Sequence, residues 1–180
     1  MKTGEKSLTL KEVRNLLGVV TDIIHYNLIK LALVGGIRRA DIITITKSDI
    51  NQQDNSVMFM EKKKKRVKKV FLPQSLMNNI AMSMKINKKS PYLFPSKRPN
   101  KHISSKTAYN ILQKYLKLAE IKSIPFHALR STCYKLCQEA GWSPEQASKH
   151  LGDTVRVAQE HYATPTENEM KEVAESKEIL

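Results

Sequence analysis

The sequence predicts a mostly α-helical α+β domain that carries one small antiparallel sheet. Three observations lead there. Apolar residues recur at helical spacing behind capping signals along much of residues 9–162. Two short β-prone segments, Val57-Met58-Phe59-Met60 and Val70-Phe71-Leu72, flank a charged stretch and read as a hairpin. No internal repeat and no long linker divides the chain, and its 180 residues suit one domain with its own core.

The elements follow in chain order. Thr9 and Glu12 have capping-box spacing, and Val13, Leu16, Leu17 and Val20 form the stripe of a first helix over 9–20. A second apolar stretch, 23–34, ends at Gly35-Gly36, a helix-stop signal. Residues 38–43 form a short amphipathic turn and 47–55 carry polar turn chemistry. The hairpin comes next, its lysines at the tip and on the exposed face. Pro73 precedes a helix over 76–84, and residues 87–103, rich in Pro, Lys and Asn, are loop. Ser104 or Ser105 caps a helix bearing Ala108, Ile111, Leu112, Tyr115 and Ala119. Pro125 starts a helix that Gly141 stops. Ser143-Pro144 with Gln146 opens a short helix that Gly152 ends. A last helix holds Tyr162, and Pro165 separates it from the C-terminal tail.

Composition narrows the function classes. With 41% hydrophobic and 27% charged residues, wholesale disorder is excluded. No apolar run approaches the ~18 residues of a membrane span. The N-terminal residues lack the apolar core of a signal peptide, so a cytoplasmic protein is expected. Cys133 and Cys137 are too few for a disulfide framework and share one helix face. A net charge of +14 and a pI near 9.8 favour a polyanionic partner, nucleic acid before an anionic membrane surface. The charge is uneven: residues 164–180 carry five Glu against two Lys, leaving +17 on the first 163 residues. Residues 61–69 read EKKKKRVKK, seven basic against one acidic.

Four features could carry chemistry: Gly36-Ile37-Arg38-Arg39-Ala40-Asp41, the lysine hairpin, His127-Ala128-Leu129-Arg130, and His161-Tyr162. Each alone has an ordinary structural explanation: a surface arginine, a solvated charge run, a packed histidine, a half-buried tyrosine. In order and spacing, the set resembles the catalytic domain of the tyrosine recombinase (phage-integrase) family. The family's G-x-R-x-x-E/D box is matched by Gly36, Arg38 and Asp41, and its H-x-x-R box by His127 and Arg130. Its L-G-H or L-G-W, followed nine residues later by tyrosine, is matched by Leu151-Gly152-Asp153 and Tyr162. Counting back from Phe71 to the family's hairpin lysine reaches Lys63, with Lys62, Lys64 and Lys65 close enough to compete. Two departures stand out. Asp153 replaces the usual His or Trp, so that phosphate contact is altered or comes from His150 or His161, or Asp153 orients a basic residue. The family's N-terminal DNA-clamping domain also has no counterpart in the chain.

The resemblance implies a helical catalytic domain over 1–163 with a three-stranded antiparallel sheet, and an acidic tail over 164–180. In the tail Met170, Val173, Ala174 and Ile179 have helical spacing, so it either docks on a neighbouring subunit or frays in solvent. The implied reaction is transesterification on double-stranded DNA through a 3′-phosphotyrosyl link, with no metal or cofactor, by subunits that self-associate on DNA. The implied catalytic set is Arg38, Lys63, His127, Arg130 and Tyr162, with Asp153 in the non-standard position. The implied DNA-contact set is Lys62, Lys64, Lys65, Arg66, Lys68 and Lys69. Two guanidinium forks suit a phosphodiester because each donates parallel hydrogen bonds and stays charged. A histidine titrates near neutrality and can accept the tyrosine proton, and a lysine can protonate the leaving 5′-oxygen. Two other readings remain open: a non-catalytic DNA-binding regulator on the same scaffold, and a type IB topoisomerase.

Overall fold

The computed structural model describes residues 6–163, so the acidic tail expected over 164–180 lies outside the described residues. Among the described residues, eight α-helices accompany one small sheet: α1 (Leu10–Gly18), α2 (Ile23–Gly35), α3 (Arg39–Ile42), α4 (Gln74–Ile86), α5 (Ser105–Leu118), α6 (Ala128–Glu139), α7 (Pro144–Leu151) and α8 (Val155–Tyr162). Strands β1 (Ile50–Asn51), β2 (Ser56–Glu61) and β3 (Arg66–Phe71) form an antiparallel sheet in the order β1-β2-β3. The mostly helical α+β architecture with three strands agrees with the sequence.

Helix α2 is the axis of the core. Leu28, Ile29, Leu31, Ala32 and Leu33 are buried almost all round it, because α1, α3, α4, α5 and α6 all pack against it. A helix apolar on every face has no solvent side to offer. Local signals set the ends of several elements. Thr9 and Glu12 close a capping box on α1, Ser143 and Gln146 close another on α7, and Asp22 caps α2 through the amides of Ile24 and His25. A smaller apolar cluster, including Tyr134, Ala147, Leu151, Ala158 and Tyr162, joins α6, α7 and α8. Among the described residues no helix is long and apolar enough to cross a membrane.

Besides shifts of one or two residues at the ends of α1 and α4, two assignments differ from expectation. Helix α6 starts at Ala128 rather than at Pro125. Residues 125–127 form a tighter turn, in which Ala128 and Leu129 donate to Pro125 and Phe126 three residues back, as Phe126 enters the main core. Residues 47–55 are not wholly turn: after a 3-10 turn at Lys47–Asp49, Ile50 and Asn51 pair with Val57 and Ser56 and supply the short third strand.

The register of the hairpin decides what reaches the site. Phe59 faces Lys68 and Glu61 faces Arg66 across β2 and β3. Alternation puts Val57, Phe59, Glu61, Lys68 and Val70 on the buried face, and Met58, Met60, Val67, Lys69 and Phe71 on the exposed one.

Candidate active site

The site forms where the ends of α2, α6, α7 and α8 meet the hairpin. Gly36 terminates α2 with φ 56°, a left-handed turn that glycine adopts without strain, and throws the chain into α3. Space is as strict as conformation there, because a Cβ on Gly36 would lie 3.0 Å from Leu151 Cγ. Arg38 follows as the extended residue preceding α3, free to aim its guanidinium at the hairpin. Asp41 is buried, and its Oδ1 accepts the backbone N–H of Lys62 at 3.1 Å, tying the hairpin turn to α3.

Arg130, on the first turn of α6, is 2% exposed. It donates to the carbonyl oxygens of Gly36 and Leu151, to Asp153 Oδ2 at 2.6 Å and, through Nε, to the Tyr162 hydroxyl at 3.1 Å. These bonds fix a guanidinium at the junction of three helices. Tyr162 in turn donates to Asp153 Oδ2 at 3.1 Å. Its ring lies 6.0 Å from that of His127, centroid to centroid. Asp153 follows Gly152, the left-handed cap of α7, and its Oδ1 accepts from Arg38 and from Lys64, each at 3.0 Å. Arg38 also pairs with Glu61, which binds Arg66 through its other oxygen at 3.0 Å.

Electrostatics follow from burial among cations. Burial, reinforced by Arg130 and Arg38, pushes the His127 imidazole down to about 4, so it is neutral at pH 7. Burial acts to raise the Asp153 carboxyl, but Arg130, Lys64 and Arg38 outweigh it and hold the group well below the usual carboxylate range. Burial raises the Tyr162 phenol; Arg130 opposes that and Asp153 adds to it, so the phenol stays protonated. Together these groups can bind an anion, hold a phenol beside it, and offer a neutral imidazole. That combination is suited to attack by a tyrosine on a phosphoester.

The phage integrase family model matches residues 6–169 of this chain. The chain belongs to the phage integrase family. The tyrosine recombinase XerA of Pyrococcus furiosus is 32% identical over 184 residues, which cover 99% of this chain and 64% of that protein. The chain thus spans less than two thirds of that relative's length. The fold matches the crystal structure of XerA recombinase with a TM-score of 0.82, at 18% identity over 97% of this chain and 66% of that one. It also matches a lambda integrase dimer bound to a COC′ core site, with a TM-score of 0.70 and 20% identity over 87% and 58% of the two chains.

Against this phage-integrase frame, Arg38, His127, Arg130, Asp153 and Tyr162 converge on one site. Lys63 sits with Lys62, Lys64 and Lys65 in the hairpin turn; Lys64 reaches Gly152 O and Asp153, whereas Lys62, Lys63 and Lys65 are exposed. Arg66 donates to Gly152 O at 2.9 Å, and Lys69 pairs with Asp54 on the outer face. Lys68 departs from the expected DNA-contact set. It points inward and is 8% exposed, because its place in the register is on the buried face. His150 is engaged elsewhere: its Nε2 is bonded to Val34 O at 2.7 Å and its ring packs edge-on against Trp142. His161 is exposed, 6.3 Å from the Tyr162 ring between centroids. Sequence reasoning missed Glu61 as a site residue. The available signal was its position at the end of the alternating β2, on the same face as Val57 and Phe59.

Proposed function

We propose that this chain is the catalytic part of a site-specific DNA recombinase, which cuts and rejoins duplex DNA through a 3′-phosphotyrosyl intermediate. The observation that carries the reading is the Tyr162 hydroxyl on Arg130 Nε, with Arg38 brought to the same carboxylate. Membership of the phage integrase family supports it, as does the likeness to XerA.

In the proposed reaction the Tyr162 oxygen attacks phosphorus and the bond from phosphorus to the 5′-oxygen breaks. The phenolic proton passes to neutral His127, and the leaving oxygen takes a proton from a lysine of the hairpin turn, Lys63 in the first instance. A 5′-hydroxyl from another strand then attacks the phosphotyrosine, restoring the phosphodiester and the phenol. Each step exchanges one phosphoester for another, so no co-substrate is consumed. Arg38 and Arg130 stabilise the charge that grows on the non-bridging oxygens. A phosphate beside His127 favours its protonated form, as the Asp153 carboxylate does in the free protein.

The proposed partner is double-stranded DNA, with subunits associating on it as in the lambda integrase dimer on its core site. We place residues 1–163 as the catalytic unit, the acidic tail as its docking segment, and the protein in the cytoplasm with its DNA. A second reading, a DNA-binding regulator without catalysis, is favoured by one observation: a carboxylate, Asp153, stands where an anion should bind.

The test is trapping. Wild-type protein is incubated with nicked duplexes of randomised central sequence, and detergent-stable, protease-sensitive adducts are recovered and sequenced. The expected result is an adduct with wild type and none with Tyr162→Phe, which still binds DNA within about twofold, as loss of one hydroxyl leaves the phosphate-neutralising cations in place. Adducts from Tyr162→Phe overturn the nucleophile, and DNA binding without any adduct favours the regulator.

A further inference from the structure

Four of the groups gathered at the site, Arg38, Lys64, Arg130 and Tyr162, are engaged by one carboxylate. Asp153 Oδ1 accepts from Arg38 and Lys64, and Oδ2 accepts from Arg130 at 2.6 Å and from Tyr162 at 3.1 Å. The Asp153 side chain is only 4% exposed. A carboxylate and the two non-bridging oxygens of a phosphodiester present the same pattern, two oxygens sharing one negative charge, and both are preferred partners of guanidinium forks. We propose that Asp153 is the resident occupant of the phosphodiester subsite, a stand-in that holds the cleavage groups together until the scissile phosphate displaces it. This rests on the recombinase reading for the identity of the displacing ligand, though not for the presence of an anion subsite.

The other chemical role open to Asp153 is general base for Tyr162, and magnitude excludes it. The ordinary pKa values of the two groups, 3.8 and 10.0, already oppose that transfer about a millionfold. The surrounding cations lower the acid further while burial raises the phenol, which widens the gap. Asp153 therefore keeps Tyr162 as a phenol. Displacing it frees the hydroxyl from Asp153 Oδ2 and keeps Arg130 Nε as its neighbour, with the phosphate in place of the carboxylate.

The backbone is arranged so that the side chain can leave alone. The Asp153 N–H is held by Ser148 O at 2.9 Å, which fixes the end of α7. Leu151 O and Gly152 O keep Arg130 and Arg66 in place through contacts that do not involve the Asp153 side chain. Rotation of one side chain then opens the subsite without moving the arginine at its floor. The cations Arg38, Lys64, Arg66, Lys68 and Arg130 outnumber the anions Glu61 and Asp153, so an incoming phosphate still meets net positive charge.

Inorganic phosphate is the probe, titrated against chloride at constant ionic strength and pH 7, with protection against thermal unfolding as the readout. An internal competitor that fills the subsite most of the time weakens apparent affinity by the fraction of time it is open. Asp153→Asn is therefore expected to bind phosphate about tenfold or more tightly than wild type, and Arg38→Gln added to it should abolish the gain. Equal or weaker binding by Asp153→Asn overturns the proposal, as does a gain that survives loss of Arg38. A wild-type measurement covers the case in which the variant folds poorly. The carboxyl carbon resonance of Asp153 should shift on saturation with phosphate, and a resonance that stays still overturns displacement. These readouts are non-covalent, so a chain that binds phosphate as expected but never traps DNA loses the recombinase reading and keeps the occupant. A chain that traps DNA with phosphate affinity indifferent to Asp153 does the reverse.

Discussion

Lys68 lies across the strand pair from Phe59, with its ammonium beside Arg130, Arg38 and Glu61 and without a hydrogen-bond partner among the described residues. Burial first, then Arg130, lowers its pKa from 10.5 to about 8, with Glu61 opposing. The sign of the consequence is fixed by linkage. Between about pH 8 and 10.5 the unfolded chain holds this proton and the folded chain does not, so stability rises with pH across that window. At pH 7 both states are protonated and the full penalty applies, on the order of 3 kcal/mol for a difference from 10.5 to about 8. Lys68→Met, which keeps much of the volume and removes the charge, should be more stable than wild type at pH 7 by about 1–3 kcal/mol. The gap should narrow as pH approaches 10. Urea unfolding of both proteins at pH 7, 9 and 10 reads this directly, and parallel curves with no gain at pH 7 refute it.

The turn from α2 into α3 carries the next prediction. Gly36 has φ 56°, and an L-residue forced there pays about 1–2 kcal/mol. The added Cβ would also press on Leu151, whose carbonyl, like that of Gly36, accepts from Arg130. Gly36→Ala is therefore expected to lower stability by at least that amount and to reduce adduct formation further than the stability loss explains. A urea midpoint unchanged from wild type would show that the turn relaxes without cost. Elements of this local kind were legible in the sequence. The capping boxes at Thr9 and Ser143 and the Gly36 and Gly152 stops are written within four residues of where they act. The inward aim of Glu61 and Lys68 was not, because strand register, set by pairing, decides which face each residue takes. The start of α6 was misplaced since Phe126 answers to the core, not to the proline before it. That Asp153 pairs with basic residues was among the sequence alternatives, but which ones was not legible: its partners Arg130, Lys64 and Arg38 lie 23, 89 and 115 residues away. Spacing could put Arg38, His127, Arg130 and Tyr162 in order, whereas only the fold could show a carboxylate at their centre.

For the whole molecule, a charge of +14 is not a uniform coat, and its distribution separates exposed lysines, the proposed DNA contacts, from those held at the candidate site. Lys62, Lys63 and Lys65 stand exposed at the hairpin turn, Lys64 is shared with Asp153, and Lys68 is buried. A cation that neutralises a phosphate releases condensed counterions, and each such contact contributes about 0.9 to the slope of log affinity against log salt. Replacing Lys62, Lys63 or Lys65 with Gln should therefore flatten that slope by up to about 0.9 each, on random-sequence duplex between roughly 50 and 200 mM salt. Lys68→Met should leave the slope unchanged, since its ammonium is not on the surface that first meets the backbone. Lys64→Gln should fall between, because Asp153 already neutralises part of the Lys64 charge in the free protein and less of it is left for a phosphate. Fluorescence anisotropy at four salt concentrations suffices to separate these cases. A slope that drops for Lys68→Met as much as for Lys63→Gln would mean that DNA reaches under the hairpin, and the division between surface and site drawn from burial would fail.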